Sequence, residues 1–494
     1  MSQESDEAES PVGSLGRQAG RGLKWSVVGQ MVTKVASFAM GLILARLLAP
    51  SDFGIYAVAL AATQFVMTVK DIGIMAATVQ WRGKLEDMAP TASLMALISA
   101  VLLYGVFWLG APAFAELAGN ADAAPVVQLL TAVILVEAVT AVRTAALMRR
   151  FQQDRLTMSL LAGFVVNAAV AITLAASGAG PYSFAWGQVA GAVVTGVFVL
   201  FAAKMPFRLG LDRAIAVKLL KFGIPSAAGT GLEAVLLNVG YIIVGDRLGT
   251  VLLGFYLLAF NVSSWVPGLV GTAVRFVSIP GFSRLAERGD ESLSNGVRRA
   301  VPMLFTVVLP IAVLMATLAH PLVSFLYGER WDASGAVLRY LAVVMLVRML
   351  TALAFDILTS QGATRATVWM NLGHGVALIP AIIIGTDLDG IRGAAIGQMA
   401  AAVLVGLPLA IYFLQREKVD LRPVLPHLVR PAVAGLVSGA VALLVRPLAG
   451  DVAFFELVLA GGAGLIAYIL IVVPWAQLRE FTGRAVHFIP ARSR

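Results

Sequence analysis

The residues most able to take part in binding or proton transfer are four charged side chains near the middle of long apolar stretches. They are Lys34, Glu137, Glu233 and Arg348. A charge at the centre of a bilayer costs several kcal/mol, about 2.5–3.5 for Lys, Arg or Asp even on lenient scales. We therefore expect each of these side chains to face a polar cavity or an oppositely charged partner rather than lipid.

Three cations at such positions suit the binding of an anion. Lys34 and Arg348 lie at mid-stretch, and Arg143 lies about 9 Å beyond Glu137 in the same stretch, at about 1.5 Å per helical residue. A guanidinium binds phosphate oxygens in pairs, and an ammonium binds them as a point charge. We predict that Lys34, Arg143 and Arg348 hold phosphate oxygens in a central cavity.

Three carboxylates accompany these cations. Glu137, Glu233 or Asp356 could carry a coupling proton or Na⁺, or act as a gate. Asp356 follows Arg348 by eight residues, so the two lie near one helical face. A simpler interpretation stays open, in which the charges only form salt bridges that stabilise the fold.

Two further positions have weaker signals. Lys70 and Asp71 are adjacent, and we expect them to form a local pair whose stems reach toward the interface. His374 lies inside an apolar stretch and could relay a proton. A lone His in such a stretch is more often a hydrogen-bond partner between helices.

The composition shows which elements must position these residues. The chain has 494 residues, of which 59% are hydrophobic and 13% charged, with a mean hydropathy of +0.86. Soluble domains are about 45–50% apolar and about 25% charged. A soluble enzyme, a disordered scaffold and a secreted disulfide protein are excluded, and no Cys is present.

The apolar residues fall into stretches that are long enough to span a membrane as helices, which takes about 20 residues each. The fourteen predicted spans are residues 23–45, 53–78, 90–111, 125–148, 157–177, 183–203, 222–245, 250–273, 301–320, 335–358, 366–385, 391–414, 428–447 and 453–474. The sequence therefore predicts an all-α polytopic membrane protein.

The basic residues predict how the spans are oriented. With the N-terminus in the cytoplasm, most of the 37 Lys and Arg residues fall in cytoplasmic segments, as the positive-inside rule requires. Both termini are then cytoplasmic. The net charge of +9 thus mostly reflects the basic residues that orient the protein in the membrane. Nucleic-acid binding is the weaker interpretation.

An internal repeat divides the spans. Gly54-Ile-Tyr56 precedes Gly254-Phe-Tyr256 by 200 residues, and Ala185-Trp-Gly-Gln188 precedes Ala395-Ile-Gly-Gln398 by 210. Spans 1–6 and 7–12 therefore read as two pseudo-symmetric six-helix bundles. Transporters built from such repeats bind substrate between the halves.

The repeat fixes the predicted domains and pairs the buried charges. The predicted parts are a cytoplasmic tail (1–22), an N-terminal lobe (23–205), a cytoplasmic linker (206–221), a C-terminal lobe (222–415), two further helices (416–474) and a cytoplasmic tail (475–494). At the repeat offsets, Glu233 aligns beside Lys34, and Arg348 aligns beside Glu137. Each half thus carries one cation and one anion at similar depth, which predicts the pairs Lys34–Glu233 and Glu137–Arg348.

Catalytic chemistry has no visible basis in the sequence. There is no Gly-x-x-x-x-Gly-Lys-Ser/Thr phosphate loop, and the four His residues are scattered. We expect no enzyme activity, no cofactor and no metal centre. Uphill transport would have to draw on an ion gradient, the membrane potential or removal of the product.

Several motifs carry a family resemblance. The most specific is the helix 1–2 element over residues 43–56, and further matches are residues 20–26, 69–73, 326–331 and 356–362. In the helix 1–2 element the motif residues are Arg46, Pro50, Asp52, Phe53, Gly54 and Tyr56. These stretches resemble the polysaccharide flippases of the Wzx type, within the superfamily that also holds multidrug antiporters and the lipid II flippase. The elements at Trp331 and Asp356 resemble the colanic-acid and exopolysaccharide subgroup.

The resemblance implies a two-lobed bundle in the bacterial inner membrane that flips polyprenyl-diphosphate-linked oligosaccharide repeat units by alternating access. It implies partners as well, namely a polysaccharide polymerase or export complex and a coupling H⁺ or Na⁺. Cationic cavity residues of the superfamily bind the lipid diphosphate, and Lys34, Arg143 and Arg348 are the candidates here. Two alternatives remain: a cation-coupled multidrug antiporter, and an assembly component that does not transport.

Overall fold

The computed structural model describes residues 11–70, 85–150, 152–206, 208–265, 290–450 and 452–473, together with positions 267, 268, 282 and 285. Within these ranges the side chains of residues 11–27, 69, 222–237, 290 and 364 lie outside the description. The described chain is helical throughout, with no strand. This confirms the predicted all-α class.

Fifteen α-helices of eight or more residues can be numbered within the described residues. They are α1 (Pro11–Leu47), α2 (Pro50–Lys70), α3 (Leu85–Leu117), α4 (Ala124–Thr131), α5 (Val133–Arg149), α6 (Gln153–Ala176), α7 (Tyr182–Ala202), α8 (Arg213–Ser263), α9 (Asp290–Thr317), α10 (Ala319–Tyr327), α11 (Ala333–Ser360), α12 (Thr364–Ala401), α13 (Leu407–Arg416), α14 (Leu425–Val445) and α15 (Gly461–Val472).

These helices have the lengths and composition that membrane spans require. Helices satisfy all backbone polar groups internally, which lipid demands. In the described part of the chain, eleven stretches are long and apolar enough to cross a membrane. One of them, Arg365–Arg416, bends at Asp389 and Gly390 and so contains two of the predicted spans. The predicted count of fourteen is roughly consistent with this pattern.

Local irregularities divide several helices. Gly249 interrupts α8 with a φ of 78°, a conformation that glycine adopts without steric cost. The predicted span 125–148 is two helices, α4 and α5, with a turn at Ala132. A π-helical segment, Ala402–Gly406, joins α12 to α13, and such segments occur often at functional sites.

The chain forms two compact units, Met1–Gly254 and Phe255–Arg494. In the first unit, α6 and α7 approach closely because small residues face each other. A Cβ added at Gly191 would lie 2.7 Å from the Gly163 carbonyl oxygen, and one at Gly187 would lie 2.6 Å from Asn167 Oδ1. The Gly187-x-x-x-Gly191 motif is therefore a contact within the chain, as small-residue motifs in membrane helices typically are.

The second unit is built around α9, α11 and α13. Val308, Leu353, Ile357 and Phe413 share its apolar core. Helices α14 and α15 pack against α9 through glycines: a Cβ at Gly435 would meet Leu309 at 2.9 Å. The two helices outside the repeat are thus attached to the second unit.

Candidate functional site

An ion pair within the first unit joins α2 to α5. The Lys70 ammonium contacts the Glu137 carboxylate, and their side chains are 8% and 44% exposed, respectively. Because the cation is buried, the carboxylate compensates a charge that would otherwise be costly. The exposed half of Glu137 leaves that carboxylate within reach of solvent or a ligand.

This pair differs from what the sequence analysis predicted for Lys70. We expected a local pair with Asp71, a residue that lies outside the described ones. Lys70 instead pairs with a carboxylate 67 positions away in the chain. Lys70 is therefore a charged residue of the candidate site that could not be identified from the sequence.

The two predicted sign-swapped pairs stay predictions. The Glu233 side chain, within α8, lies outside the description, so Lys34–Glu233 has no structural test. Glu137 and Arg348 belong to different units. Lys70 is the partner that the structure gives to Glu137.

Arg143 lies six residues after Glu137 on α5 and is only 2% exposed. Its Nη1 donates a hydrogen bond to the Val139 carbonyl of the same helix, at 3.3 Å. The guanidinium is packed inside the first unit in this conformation. A phosphate would reach it only after the surrounding helices had moved.

Lys34 has the opposite environment. Its side chain projects from α1 and is exposed, and the described part of the chain gives it no ion pair. One face of α1 packs on α6, where Gly29 meets Thr157. Of the three predicted phosphate ligands, Lys34 is the most accessible.

Arg348 is half-buried on α11 in the second unit. Its guanidinium carbon lies 5.9 Å from the centre of the Phe260 ring, and Nη1 lies 3.8 Å from the Met345 sulfur. Cation–π contacts of this kind stabilise a charge away from bulk water. These contacts keep the Arg348 guanidinium in a half-buried position, where an anion can still approach it.

Asp356 lies two helical turns beyond Arg348 and is 3% exposed. Its neighbours on α11, Leu353 and Ile357, belong to the apolar core of the unit. The carboxylate is thus deep inside the packed helices, about 12 Å along the axis from Arg348. The structure does not bring it next to an open surface.

A small cleft lies in the second unit. Its lining includes Ser263, Met315, Met345 and Met349 and is mostly apolar. Because its lining is mostly apolar, the cleft does not supply the charges that a diphosphate needs. It adjoins Arg348 through Met345, whose sulfur that guanidinium contacts.

The helix 1–2 motif has a structural role. The Tyr56 ring stacks on Phe184 of α7 at 4.1 Å between ring centres, and Phe53 meets the same ring edge-on at 5.1 Å. Gln188 Nε2 donates to the Tyr56 hydroxyl at 2.5 Å. Asp52 accepts a hydrogen bond from the Ala49 backbone N–H at 2.9 Å. The motif therefore fixes the start of α2 against α7.

The other motif residues also lie at this end of the hairpin. Arg46 is exposed in the last turn of α1, and Pro50 opens α2. Within the first unit, a Cβ at Gly54 would overlap the Thr250 carbonyl, and a Cβ at Gly254 would overlap the Pro50 carbonyl. The two contacts mirror each other at the 200-residue offset.

The second repeat reproduces the tyrosine contact. The Tyr256 hydroxyl donates to Gln398 Oε1 at 2.6 Å, and both residues belong to the second unit. Gln188 and Gln398 are the residues that the repeat aligns. We call Tyr56–Gln188 and Tyr256–Gln398 the Tyr–Gln pairs. Matching hydrogen bonds at matching positions support two copies of one bundle.

Comparison with known proteins identifies the family of the chain. A family model described as "Polysaccharide biosynthesis protein" matches residues 43–336, which is more than half of the sequence. The chain belongs to this family. The matched region begins in the helix 1–2 motif and includes both Tyr residues of the Tyr–Gln pairs.

Two curated proteins are similar to this chain over most of their length. The lipopolysaccharide biosynthesis protein WzxC of Escherichia coli (strain K12) is 23% identical, with 79% of this chain and 80% of WzxC covered. The succinoglycan biosynthesis transport protein ExoT of Rhizobium meliloti (strain 1021) is 25% identical, with coverages of 86% and 85%.

Solved structures of other proteins share the fold of this chain. The lipid II flippase MurJ, in an inward closed conformation, has a TM-score of 0.76 at 13% identity and covers 93% of this chain and 100% of MurJ. A multidrug resistance MATE family transporter, facing inward, has a TM-score of 0.63 at 16% identity, with coverages of 80% and 99%. The chain is therefore a multi-pass membrane protein with this helical architecture.

Proposed function

We propose that this protein is a flippase that moves polyprenyl-diphosphate-linked oligosaccharide repeat units across the membrane for exopolysaccharide, O-antigen or capsule synthesis. The observation that carries the proposal is its similarity, over about four-fifths of its length, to polysaccharide biosynthesis proteins, one of them named a transport protein. The similarity to the lipid II flippase in fold agrees with it.

The charges within the spans give the proposal a chemical basis. A lipid diphosphate that crosses the membrane must exchange its hydration for cations in the protein. Lys34 is exposed on α1, and Arg348 is half-buried on α11. We assign these two to the diphosphate, and Arg143 to a later conformation in which the first unit opens. Glu137, Glu233 and Asp356 are assigned to ion coupling or gating.

The structure suggests how Glu137 acts. Its carboxylate pairs with Lys70, and half of its surface is exposed. Binding of H⁺ or Na⁺ at Glu137 would compete with Lys70 for the carboxylate. Such competition lets an ion change the charge of this site without a catalytic step, in keeping with a transporter rather than an enzyme.

The location follows from the charge distribution and the substrate. The excess of Lys and Arg in alternate loops favours cytoplasmic termini. Polyprenyl-linked sugars are assembled at the inner leaflet and polymerised beyond it, so we assign the protein to the bacterial inner membrane. A polymerase or export complex that consumes the repeat unit would be its functional partner.

The test is deletion of the gene, with analysis of surface polymers and membrane lipids, followed by complementation with variants. We expect loss of one polymer and accumulation of its lipid-linked repeat unit on the inner leaflet. Lys34→Ala and Arg348→Ala should each lower export about tenfold, since a hydrogen bond to a charged group contributes about 1.5–3 kcal/mol.

Arg339→Ala is the matched control, because Arg339 is an exposed Arg on the same helix as Arg348. It should export polymer as the wild type does. Normal export from Lys34→Ala and Arg348→Ala at equal protein levels would remove both residues from the diphosphate site.

A second candidate is a cation-coupled multidrug antiporter, which the fold similarity to the MATE transporter favours. The deletion strain discriminates between the two. Unchanged polymer together with increased sensitivity to cationic drugs would establish the antiporter. Unchanged sensitivity with loss of polymer would exclude it.

A further inference from the structure

His374 lies on α12 with its ring against the π-helical segment Ala402–Gly406. A Cβ added at Gly406 would lie 2.9 Å from Nδ1 and 3.4 Å from Cε1, so the ring covers the face of this glycine. The backbone of Ala401, which directly precedes this segment, lies beside the ring. One continuous segment, residues 401–406, therefore lies against the ring.

Nδ1 of His374 is sealed from solvent and has no hydrogen-bond partner among the residues that the structure describes. A buried polar atom without a partner costs about 1–3 kcal/mol. Most such atoms in proteins are paired, so an unpaired one needs a reason. A neutral imidazole in this state presents a free lone pair that can accept a proton.

Arg348 is the charged residue that acts on this ring. Helices α11 and α12 are joined by a short turn and pack against each other. Arg348 lies about 18 Å before the end of α11, and His374 about 15 Å after the start of α12, at about 1.5 Å per residue. The two side chains therefore lie at nearly the same level of the helix pair.

Among the described residues, the other titratable groups on the helices packed against α12 are distant along the helix axes. On α11, Arg339, Tyr340 and Asp356 lie about 12–14 Å along the axis from Arg348. On α13, Tyr412 and Arg416 lie about 9 and 15 Å from Gly406, and Ala402–Gly406 has no titratable side chain. The remaining titratable groups on α12 are Arg365, at its start, and Asp387, Asp389 and Arg392, which lie at the bend of this helix.

We propose that His374 is a proton-binding site coupled to anion binding at Arg348. Before an anion binds, the positive charge of Arg348 opposes a second positive charge on the nearby imidazole. An anion bound to Arg348 offsets that charge, so a proton that reaches the ring when the surrounding helices move can bind Nδ1. The ring then carries an N–H at both nitrogens, and one proton is taken up for each anion bound.

The coupling is reciprocal, as thermodynamic linkage requires. A protonated His374 adds a second positive charge beside Arg348 and strengthens anion binding there. Affinity for the anion should therefore increase as the pH falls through the range in which His374 titrates. This inference rests on the proposed diphosphate site and identifies its coupled ion as H⁺ in the second unit.

The experiment uses the full-length purified protein and digeranyl diphosphate, a diester whose phosphates do not titrate between pH 5 and 8. Calorimetric titrations in buffers of different ionisation enthalpy give the number of protons taken up on binding. We expect wild-type protein to take up protons and to bind at least about fivefold more tightly at pH 5.5 than at pH 7.5, the lower end of typical coupling.

His374→Asn should bind the probe with no proton uptake and with the same affinity at both pH values. His427→Asn is the matched control, since His427 is exposed on α14 and its Nδ1 already faces the Pro423 carbonyl at 2.9 Å. It should behave as the wild type does. His374→Gln repeats the test with a longer amide, and gel filtration verifies that each variant is folded.

The possible outcomes separate the two proposals. Binding with His374-dependent proton uptake supports the coupled site. Binding without proton uptake, or with uptake that survives in His374→Asn, overturns the role of His374 and leaves the diphosphate site intact. No binding by the wild type at either pH overturns the diphosphate site and, with it, the coupling.

Discussion

The Lys70–Glu137 ion pair gives the first unit a charged contact between α2 and α5. Lys70 is buried, whereas nearly half of the Glu137 side chain is exposed. Removal of one partner from a fully buried pair costs about 3–5 kcal/mol, because it leaves an unpaired charge. Substitution of Lys70 leaves the half-exposed Glu137 carboxylate unpaired, so the cost is lower. Substitution of Glu137 leaves the buried Lys70 ammonium unpaired, so the cost stays high.

We therefore expect an asymmetric response to mutation. Glu137→Gln, which strands the buried Lys70 ammonium, should lower the thermal unfolding temperature in detergent more than Lys70→Met does. The double variant should be more stable than Glu137→Gln alone. Lys204→Met, at an exposed lysine beyond α7, is the control and should leave the temperature unchanged. Equal effects of both single substitutions would contradict the asymmetry.

The sequence identified the charged residues within the spans but not their contacts. Lys34, Glu137 and Arg348 stand out because charges are rare in apolar stretches. The pairing of Glu137 with Lys70 depends on how α2 packs against α5, and helical periodicity carries no information about that packing. The burial of His374 Nδ1, which has no hydrogen-bond partner in the described part of the chain, likewise depends on the π-helical segment that covers the ring.

Among the helices, the close approach near the start of α2 depends on two glycines. A Cβ at Gly54 or Gly254 would overlap a backbone carbonyl, which cannot move aside as a flexible side chain can. Gly54→Ala and Gly254→Ala should each reduce the yield of folded protein and polymer export several-fold.

Gly41 and Gly105 provide matched controls, since a Cβ at either position has no heavy atom within 4 Å. Gly41→Ala and Gly105→Ala should retain wild-type yield, because Ala is favoured over Gly within a helix by about 1 kcal/mol. A similar loss of yield in the Gly41→Ala and Gly54→Ala variants would show that the close contact is not the cause.

The Tyr–Gln pairs predict matching energetics in the two units. Each Tyr→Phe substitution removes a hydroxyl and leaves a glutamine amide without its partner, at a cost of about 1–3 kcal/mol. Tyr56→Phe and Tyr256→Phe should lower the unfolding temperature by similar amounts. Replacing the paired glutamine with Leu as well should recover part of the loss. Recovery in neither unit would exclude a stabilising role for the pairs.

Most helices could be predicted because hydropathy alone sets the length of a span. The interruptions could not. The bend at Gly249 needs only one residue with a positive φ, and the turn at Ala132 has no Gly or Pro to mark it. The close packing of α6 on α7 depends on Gly187 and Gly191, whose spacing of four residues places both on one face of the helix.

For the whole molecule, the absence of Cys gives a direct test of orientation. Single Cys residues can be introduced without first removing others. We expect Asp122→Cys to react with a membrane-impermeant maleimide in intact cells from which the outer membrane has been permeabilised. Lys418→Cys should react only after the inner membrane is opened. The reverse pattern would place both termini outside the cytoplasm.

The boundary of the first unit has a consequence for the connectivity of the chain. The predicted C-terminal lobe begins at residue 222, yet Gly245, near the bend of α8, packs against the Ala118 carbonyl of the first unit. Residues 222–254, which the repeat assigns to the C-terminal lobe, thus belong to the first compact unit. Two separate polypeptides, cut between residues 208 and 212, would each carry part of the same packed unit and should assemble into an active transporter when produced together.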